Sequence, residues 1–120
     1  MSLYEYKAHL IRVIDGDTVV MQLDLGFNTF SKQILRLVGI DAPEKRGRDL
    51  TPEQRQEGLD SAGFLNNLLG SYRGLIVKTE NDKTGKYGRF LATIWGVDKD
   101  GNEWDISEQM VNHGYATERR

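Results

Sequence analysis

The sequence predicts a mixed α+β fold that is mainly β. We expect five strands in a small closed barrel, one helix after the third strand and a short helix near the C-terminus. Residues 4–40 alternate apolar and polar side chains in runs separated by turns, which is typical of strands. One helix-capping signature follows this region, and another lies near the C-terminus. The length of 120 residues suits one core, so residues 1–120 are expected to form a single domain.

The first three predicted strands follow one another with short turns. The first begins at Tyr4 and ends at the turn Asp15-Gly16-Asp17, and the second alternates from Val19 to Leu25. Gly26-Phe27-Asn28 then turns the chain into a third strand, which carries Arg36. Strands joined by such turns form an antiparallel meander.

A helix is predicted to begin after the third strand. Thr51 fits an N-cap, Pro52 the first helical position and Gln54 the third, while Gly70 fits the end of the helix. The apolar stripe of this helix comprises Leu59, Ala62, Leu65, Leu68 and Leu69.

The rest of the predicted barrel consists of two strands, at residues 75–80 and 89–97, joined by a loop. Asp100-Gly101 predicts a further tight turn. Asp105 fits the N-cap of a second helix that ends at Gly114, and Trp104 is expected in the core. The order β-β-β-α-β-β-α is typical of a five-stranded barrel of the OB type.

Composition excludes several classes of protein. The net charge of −2 argues against a protein that coats nucleic acid through bulk positive charge. The absence of cysteine excludes disulfides and thiolate metal sites, and no apolar run is long enough to span a membrane. Because the N-terminus lacks a signal-peptide pattern, we expect a cytoplasmic protein. Segments 31–48 and 73–89 concentrate positive charge, which fits either an anionic substrate or a solvated surface.

An arginine inside an apolar strand is the most informative feature of the chain. Arg36 lies in a run that extends from Ile34 to Ile40, and Asp41 and Glu44 follow it. Arginine is rarely buried without a partner, so Arg36 requires a nearby carboxylate. It is either a structural arginine paired with Asp41 or Glu44, or part of an active site.

Charged residues elsewhere in the chain extend this pattern. Asp15 and Asp17 occupy a turn upstream, where they are either turn formers or metal ligands. Arg89 opens a strand downstream and follows Lys86-Tyr87-Gly88. Carboxylates that bind a hard cation, combined with two arginines, fit the requirements of phosphoryl transfer.

Three segments of the chain, in this order, resemble the staphylococcal nuclease family. They are Ile14 to Thr18, Arg36 to Glu44 and Lys86 to Arg89, and the resemblance extends from about Ala8 to Ala116. It implies an OB-fold barrel and Ca²⁺-dependent hydrolysis of phosphodiester bonds in DNA and RNA, leaving 3′-phosphate ends. The implied partners are single-stranded DNA and RNA, and duplex nucleic acid remains an alternative. We do not expect the protein to bind a membrane. The protein is expected to be a monomer.

The resemblance also implies a calcium site. Asp17 and Asp41 would supply carboxylate ligands, and Ala42 would supply its backbone carbonyl. Oxygen atoms of these kinds are the ligands that Ca²⁺ prefers. Asp15 would lie beside the metal and hold its water molecules.

Catalytic and substrate-binding roles follow from the same resemblance. Glu44 would orient or deprotonate the water that attacks phosphorus. Arg36 and Arg89 would bind the phosphate oxygens as negative charge develops, and Lys86 and Tyr87 would hold a substrate phosphate. The alternative is a non-catalytic OB-fold module of the same lineage that binds nucleic acid or protein. Such modules typically lose metal carboxylates or an arginine, whereas this chain retains them.

Overall fold

A computed structural model describes residues 4–79 and 89–119. Within these residues, the long strands and both helices occur in the predicted order, and three short strands are added. The elements are β1 (Tyr4–Asp15), β2 (Thr18–Asp24), β3 (Phe30–Leu37), β4 (Ile40–Asp41), α1 (Pro52–Gly70), β5 (Gly74–Thr79), β6 (Phe90–Val97), β7 (Glu103–Asp105), α2 (Ile106–Asn112) and β8 (Thr117–Glu118).

In the described part of the chain, five strands close into a barrel, which confirms the predicted OB-fold class. Antiparallel pairing gives the order β3-β2-β1-β5-β6, and a parallel pairing of β3 with β6 closes the sheet. Arg36 pairs with Leu91 in this closing ladder and with Thr18 of β2 on its other side. Because β3 has a neighbour on both sides, the backbone of Arg36 is fixed in the sheet.

Strand β1 departs from regular pairing just before the turn that contains Asp15. Its register against β2 shifts between Leu10 and Arg12, and again between Val13 and Asp15. Irregularities of this kind bend a strand and re-aim its side chains, and they occur often beside functional sites. The second shift immediately precedes the carboxylates of the candidate site.

The barrel interior and the inner faces of the helices share one apolar core. Its fully buried members include Met21 and Leu35 from the barrel, Leu65 from α1, and Ile106 and Met110 from α2. Burial of such side chains, at about 25 cal/mol for each Å² of apolar area, is the main driving force for this arrangement. No helix within residues 4–79 and 89–119 is long and apolar enough to cross a membrane.

Leu59 and Trp104 were predicted to be buried but lie at the surface, so the prediction of their burial was wrong. Leu59 is 49% exposed and Trp104 is 45% exposed. Trp104 lies on the edge strand β7, where its indole N–H donates to Asp98 Oδ2 at 2.9 Å. At the surface, the indole N–H of Trp104 has Asp98 as its acceptor. In the core, the same N–H would need a buried acceptor. The buried face of α1 includes Gly58 and Ala62, so Leu59 falls one position off that face.

The capping signatures predicted both helix starts correctly. The Thr51 hydroxyl accepts from the Gln54 N–H at 3.1 Å, and the Gln54 side-chain oxygen accepts from the Thr51 N–H at 2.9 Å. Asp105 caps α2 by accepting from the N–H groups of Ser107 and Glu108. These caps satisfy N–H groups that have no partner inside the helix. The cap at Thr51 fixes where α1 begins, and it therefore also fixes where the segment between β4 and α1, which carries Glu44, ends.

Candidate active site

A single cleft of about 520 Å³ brings together the charged residues singled out from the sequence. Its lining consists of Asp15, Asp17, Thr18, Arg36, Asp41, Ala42, Glu44, Arg89, Leu91 and Arg119. Every predicted site residue within the described ranges is therefore at this cleft. Lys86 and Tyr87 lie outside the described residues. Thr18, Leu91 and Arg119 are lining residues that sequence reasoning missed.

A second cavity, of about 660 Å³, adjoins the cleft and runs along α1. The two cavities share Asp41 and Ala42, but the second is also lined by Glu57 and Asp60. Clustered carboxylates repel an anionic ligand. The cleft that contains the arginines is therefore the better candidate for a site that binds an anion.

Arg36 is buried and held by several protein acceptors. Its Nη1 donates to Leu37 O and to Ile40 O, both at 2.8 Å. Its Nη2 donates to Asp41 Oδ1 at 2.6 Å and lies 3.5 Å from Asp17 Oδ2. The carboxylate partner that the sequence required is thus Asp41, with Asp17 close by. These contacts fix the position of the guanidinium before any ligand arrives.

The two carboxylates predicted to bind calcium converge on one point, where Arg36 Nη2 lies between them. Asp17 is buried, and its Oδ2 accepts from the Ala42 N–H at 2.8 Å while its Oδ1 accepts from the Thr18 hydroxyl at 2.9 Å. The Asp17–Ala42 bond joins two of the predicted ligands across the cleft. Carboxylate oxygens are the donors that Ca²⁺ prefers, and in this structure the Arg36 guanidinium supplies the positive charge at the point where the two carboxylates converge.

Protein side chains alone do not form a closed cage for a cation in this part of the molecule. In residues 4–79 and 89–119, no group of three or more acidic, histidine or cysteine side chains is arranged to hold a metal ion. The two converging carboxylates of Asp17 and Asp41 are too few to enclose a cation by themselves, since Ca²⁺ takes about six to eight oxygen ligands.

Asp15 adds negative charge at the same edge of the cleft. Burial raises the pKa of its carboxyl group above the ordinary value of 3.8. The Lys45 N–H, which Asp15 Oδ1 accepts at 3.2 Å, opposes that rise in pKa. The neighbouring carboxylates of Asp17 and Glu44 raise the pKa further. Mutual repulsion among carboxylates is relieved by a nearby positive charge, so this edge favours a cation.

Glu44 is exposed at the cleft, and its backbone packs closely against α1. A β-carbon at Gly58 of α1 would overlap the Glu44 carbonyl group and lie 2.5 Å from Lys45 N. Only glycine leaves room for this approach. Gly58 thus sets the distance between the helix and the segment that carries Glu44, and sequence reasoning missed it because a helical glycine has no distinctive pattern.

The turn between Asp15 and Asp17 packs against α1 in a similar way. A β-carbon at Gly16 would overlap the Ser61 hydroxyl and lie 2.9 Å from Ala42 Cβ. Ser61 is buried and its Oγ donates to Tyr115 O at 2.8 Å. Ser61 therefore links the carboxylate turn to the segment after α2.

Fold and site together define an OB-fold protein whose charged cleft lies at one end of the closing β3–β6 pair. The family model described as "Staphylococcal nuclease homologue" matches residues 34–120. The chain therefore belongs to the staphylococcal nuclease family, which confirms the resemblance inferred from the sequence.

Several curated proteins are similar to nearly the whole chain. A thermonuclease from Staphylococcus hyicus is 38% identical over 116 residues, which are 95% of this chain and 57% of that protein. Protein ParB from Escherichia coli is 37% identical over 118 residues, covering 93% and 56% of the two chains. Endonuclease YhcR from Bacillus subtilis (strain 168) is 27% identical over 115 residues, covering 93% of this chain and 9% of that protein. The chain thus spans little more than half the length of the first two relatives.

Proposed function

We propose that this chain is a Ca²⁺-dependent nuclease that hydrolyses phosphodiester bonds in single-stranded DNA and RNA and leaves 3′-phosphate ends. The observation that carries the proposal is the presence of Arg36, Arg89 and Glu44 in one cleft with two converging carboxylates. The similarity to a thermonuclease and to an endonuclease supports the same reaction class. We further propose that residues 1–120 act as one catalytic domain and as a monomer.

In this reaction, water adds to phosphorus and the bond between phosphorus and the 5′ oxygen breaks. Glu44 accepts a proton from the attacking water, a role that contributes about 10²–10⁴ in rate. The leaving 5′ oxygen takes up a proton, so the products are a 3′-phosphate and a 5′-hydroxyl. The exposure of Glu44 at the cleft supports this role because a water and a phosphate can both reach it.

Arg36 and Arg89 bind the phosphate oxygens while negative charge develops on them. Because Leu37 O and Ile40 O hold the Arg36 guanidinium, little reorganisation is needed when the transition state forms. Arg89 approaches the same cleft from the start of β6. A guanidinium can donate to two phosphate oxygens at once. Arg36 would do so through Nε and Nη2, with Nη2 turning from Asp41 to the phosphate, because its Nη1 is held by Leu37 O and Ile40 O.

Asp17 and Asp41, with the carbonyl of Ala42, would hold the calcium ion. When bound, the ion offsets charge on the phosphate and polarises water. Asp15 would orient water molecules beside these ligands through its carboxylate. We also propose, from the family resemblance, that Lys86 and Tyr87 hold a substrate phosphate.

A second candidate function is a non-catalytic module that binds nucleic acid or protein. One observation favours it: Arg36, Asp17 and Asp41 engage one another, so the network is complete without a ligand. A purely structural network of this kind would stabilise the barrel and leave the cleft inactive.

The proposal is tested by incubating the purified chain with end-labelled single-stranded DNA and RNA, with Ca²⁺ or with a chelator. We expect cleavage only with Ca²⁺, and products whose 3′ ends become extendable after phosphatase treatment. Binding of the same oligonucleotides without cleavage would overturn the nuclease and favour the binding module. Products with 3′-hydroxyl ends would overturn the assignment of the bond that breaks.

A further inference from the structure

Two arginines approach the same carboxylate oxygen from different environments. Arg36 Nη2 lies 2.6 Å from Asp41 Oδ1, and Arg119 Nη1 lies 3.8 Å from that oxygen. The Arg36 side chain is 10% exposed, whereas that of Arg119 is 63% exposed. Only Arg36 is engaged by acceptors at hydrogen-bond distance, because 3.8 Å is too long for a hydrogen bond.

The donors of Arg36 are largely used by the protein. Both bonds of its Nη1 go to backbone carbonyls, and its Nη2 serves the two carboxylates. Within the described residues, the one ion pair of Arg119 is with Asp41. The distance of 3.8 Å between the two groups leaves the Arg119 donors able to turn toward a ligand. Of the two, Arg119 has the greater capacity to accept a new anionic partner.

The backbone of Arg119 is fixed although its side chain is exposed. Its N–H donates to Gly39 O at 2.8 Å. The preceding strand β8 pairs with β4, with Glu118 opposite Ile40 and Thr117 opposite Asp41. This pairing holds the arginine at the rim of the cleft, beside the residue proposed to bind the metal, while its long stem can still move.

We propose that Arg119 forms a phosphate subsite on the Asp41 side of the cleft. It binds the backbone phosphate next to the one that is cleaved, and this inference rests on the proposed function. Its planar set of donors matches phosphate oxygens. A charge at the rim of a site changes affinity and salt dependence more than it changes the chemical step, so Arg119 positions the strand.

The test compares Arg119→Ala and Arg119→Lys with the wild-type protein and with Arg73→Ala as a matched control. Arg73 is also exposed, and its N–H donates to Val97 O at the far end of β6 from Phe90. The seven residue-to-residue steps from Phe90 to Val97 separate these ends by roughly 23 Å. Two substrates are used, a single-stranded oligonucleotide and a dinucleotide with one phosphate. Binding of the oligonucleotide is measured in chelator over a range of salt concentrations.

For Arg119→Ala we expect a KM for the oligonucleotide that is about five- to tenfold higher, with kcat within about twofold. The slope of log K against log salt should fall by about 0.7, the value for one phosphate contact on a single strand. Arg119→Lys should restore the slope because the charge returns. Neither Arg119→Ala with the dinucleotide nor Arg73→Ala with either substrate should show an effect.

The subsite is overturned if Arg119→Ala binds the oligonucleotide with the affinity and salt slope of Arg73→Ala. It is also overturned if Arg119→Ala loses as much activity toward the dinucleotide as toward the oligonucleotide, since the arginine would then act on the cleaved phosphate. If the wild-type protein binds the oligonucleotide but does not cleave it, the proposed nuclease function fails. The salt dependence of binding by Arg119→Ala still shows whether Arg119 contacts a phosphate. If the wild-type protein binds neither substrate, the subsite fails as well. Thermal unfolding of each variant excludes loss of the fold as the cause.

Discussion

The contact between Gly58 and the segment that carries Glu44 gives a prediction that follows directly from geometry. In Gly58→Ala, the new methyl group would overlap the Glu44 carbonyl and lie 2.5 Å from Lys45 N. Atoms in ordinary contact are separated by about 3.5 Å, so the helix or the segment must move by about 1 Å. The neighbours are backbone atoms and cannot rotate away.

Two opposing terms determine the stability of this variant. Alanine inside a helix is favoured over glycine by about 1 kcal/mol. Overpacking of a close contact costs about 1–3 kcal/mol, so we expect Gly58→Ala to destabilise the protein by up to about 2 kcal/mol. A displacement of about 1 Å at a reacting group can also cost about 10²-fold in rate. We therefore expect the cleavage rate of Gly58→Ala to fall by up to about 10²-fold, under conditions in which the variant is still folded.

Gly63→Ala is the matched control, because Gly63 lies in the same helix and a β-carbon there meets no atom within 4 Å. This variant should be about 0.5–1 kcal/mol more stable than the wild type and fully active. Urea unfolding and initial cleavage rates of the two variants provide the comparison. If Gly58→Ala is as stable and as active as Gly63→Ala, the close contact between Gly58 and the Glu44 carbonyl does not control the position of this segment.

Three further variants test other contacts. Arg36→Ala should lose activity and also destabilise the fold by about 3 kcal/mol, because Asp17 is left buried without its cation; urea unfolding at wild-type stability would contradict this. Ser61→Ala should cost about 1 kcal/mol because the partly buried Tyr115 carbonyl loses its donor, and an unchanged unfolding midpoint would count against it. The hydrogen bond from Trp104 lowers the pKa of Asp98, so the stability that ionised Asp98 adds is complete above pH 3.8 and is lost at lower pH. The difference in unfolding free energy between the wild type and Asp98→Asn should therefore shrink on acidification, and a difference that grows would be evidence against this coupling.

The barrel could be predicted from the sequence because its strands and helix starts have strong local signals. Alternation specified the long strands, and the capping residues Thr51 and Asp105 specified where the helices begin. The requirement of Arg36 for a carboxylate was also predictable, since burial of an unpaired guanidinium is too costly. The structure supplies Asp41 as that partner.

Contacts between distant segments could not be predicted in the same way. Strands β4 and β8 have two residues each, which is too short for a periodic pattern, so the position of Arg119 beside Asp41 had no sequence signal. Gly58 looks like a weak helix former, and its role depends on a backbone contact with a segment outside the helix. The residue type of Trp104 favours burial and therefore predicts a core position, whereas its place on an edge strand leaves it exposed.

The proposed hydrolysis depends on Glu44, which would deprotonate the attacking water, and on Ca²⁺. The most direct test measures single-turnover cleavage of single-stranded DNA by the wild type and by Glu44→Gln, in Ca²⁺ and in chelator, together with DNA affinity and thermal unfolding. We expect the variant to keep its fold and affinity and to cleave about 10²–10⁴-fold more slowly in Ca²⁺, while chelator abolishes cleavage by the wild type. Cleavage by Glu44→Gln at the wild-type rate, or cleavage by the wild type that persists in chelator, would contradict the proposed mechanism.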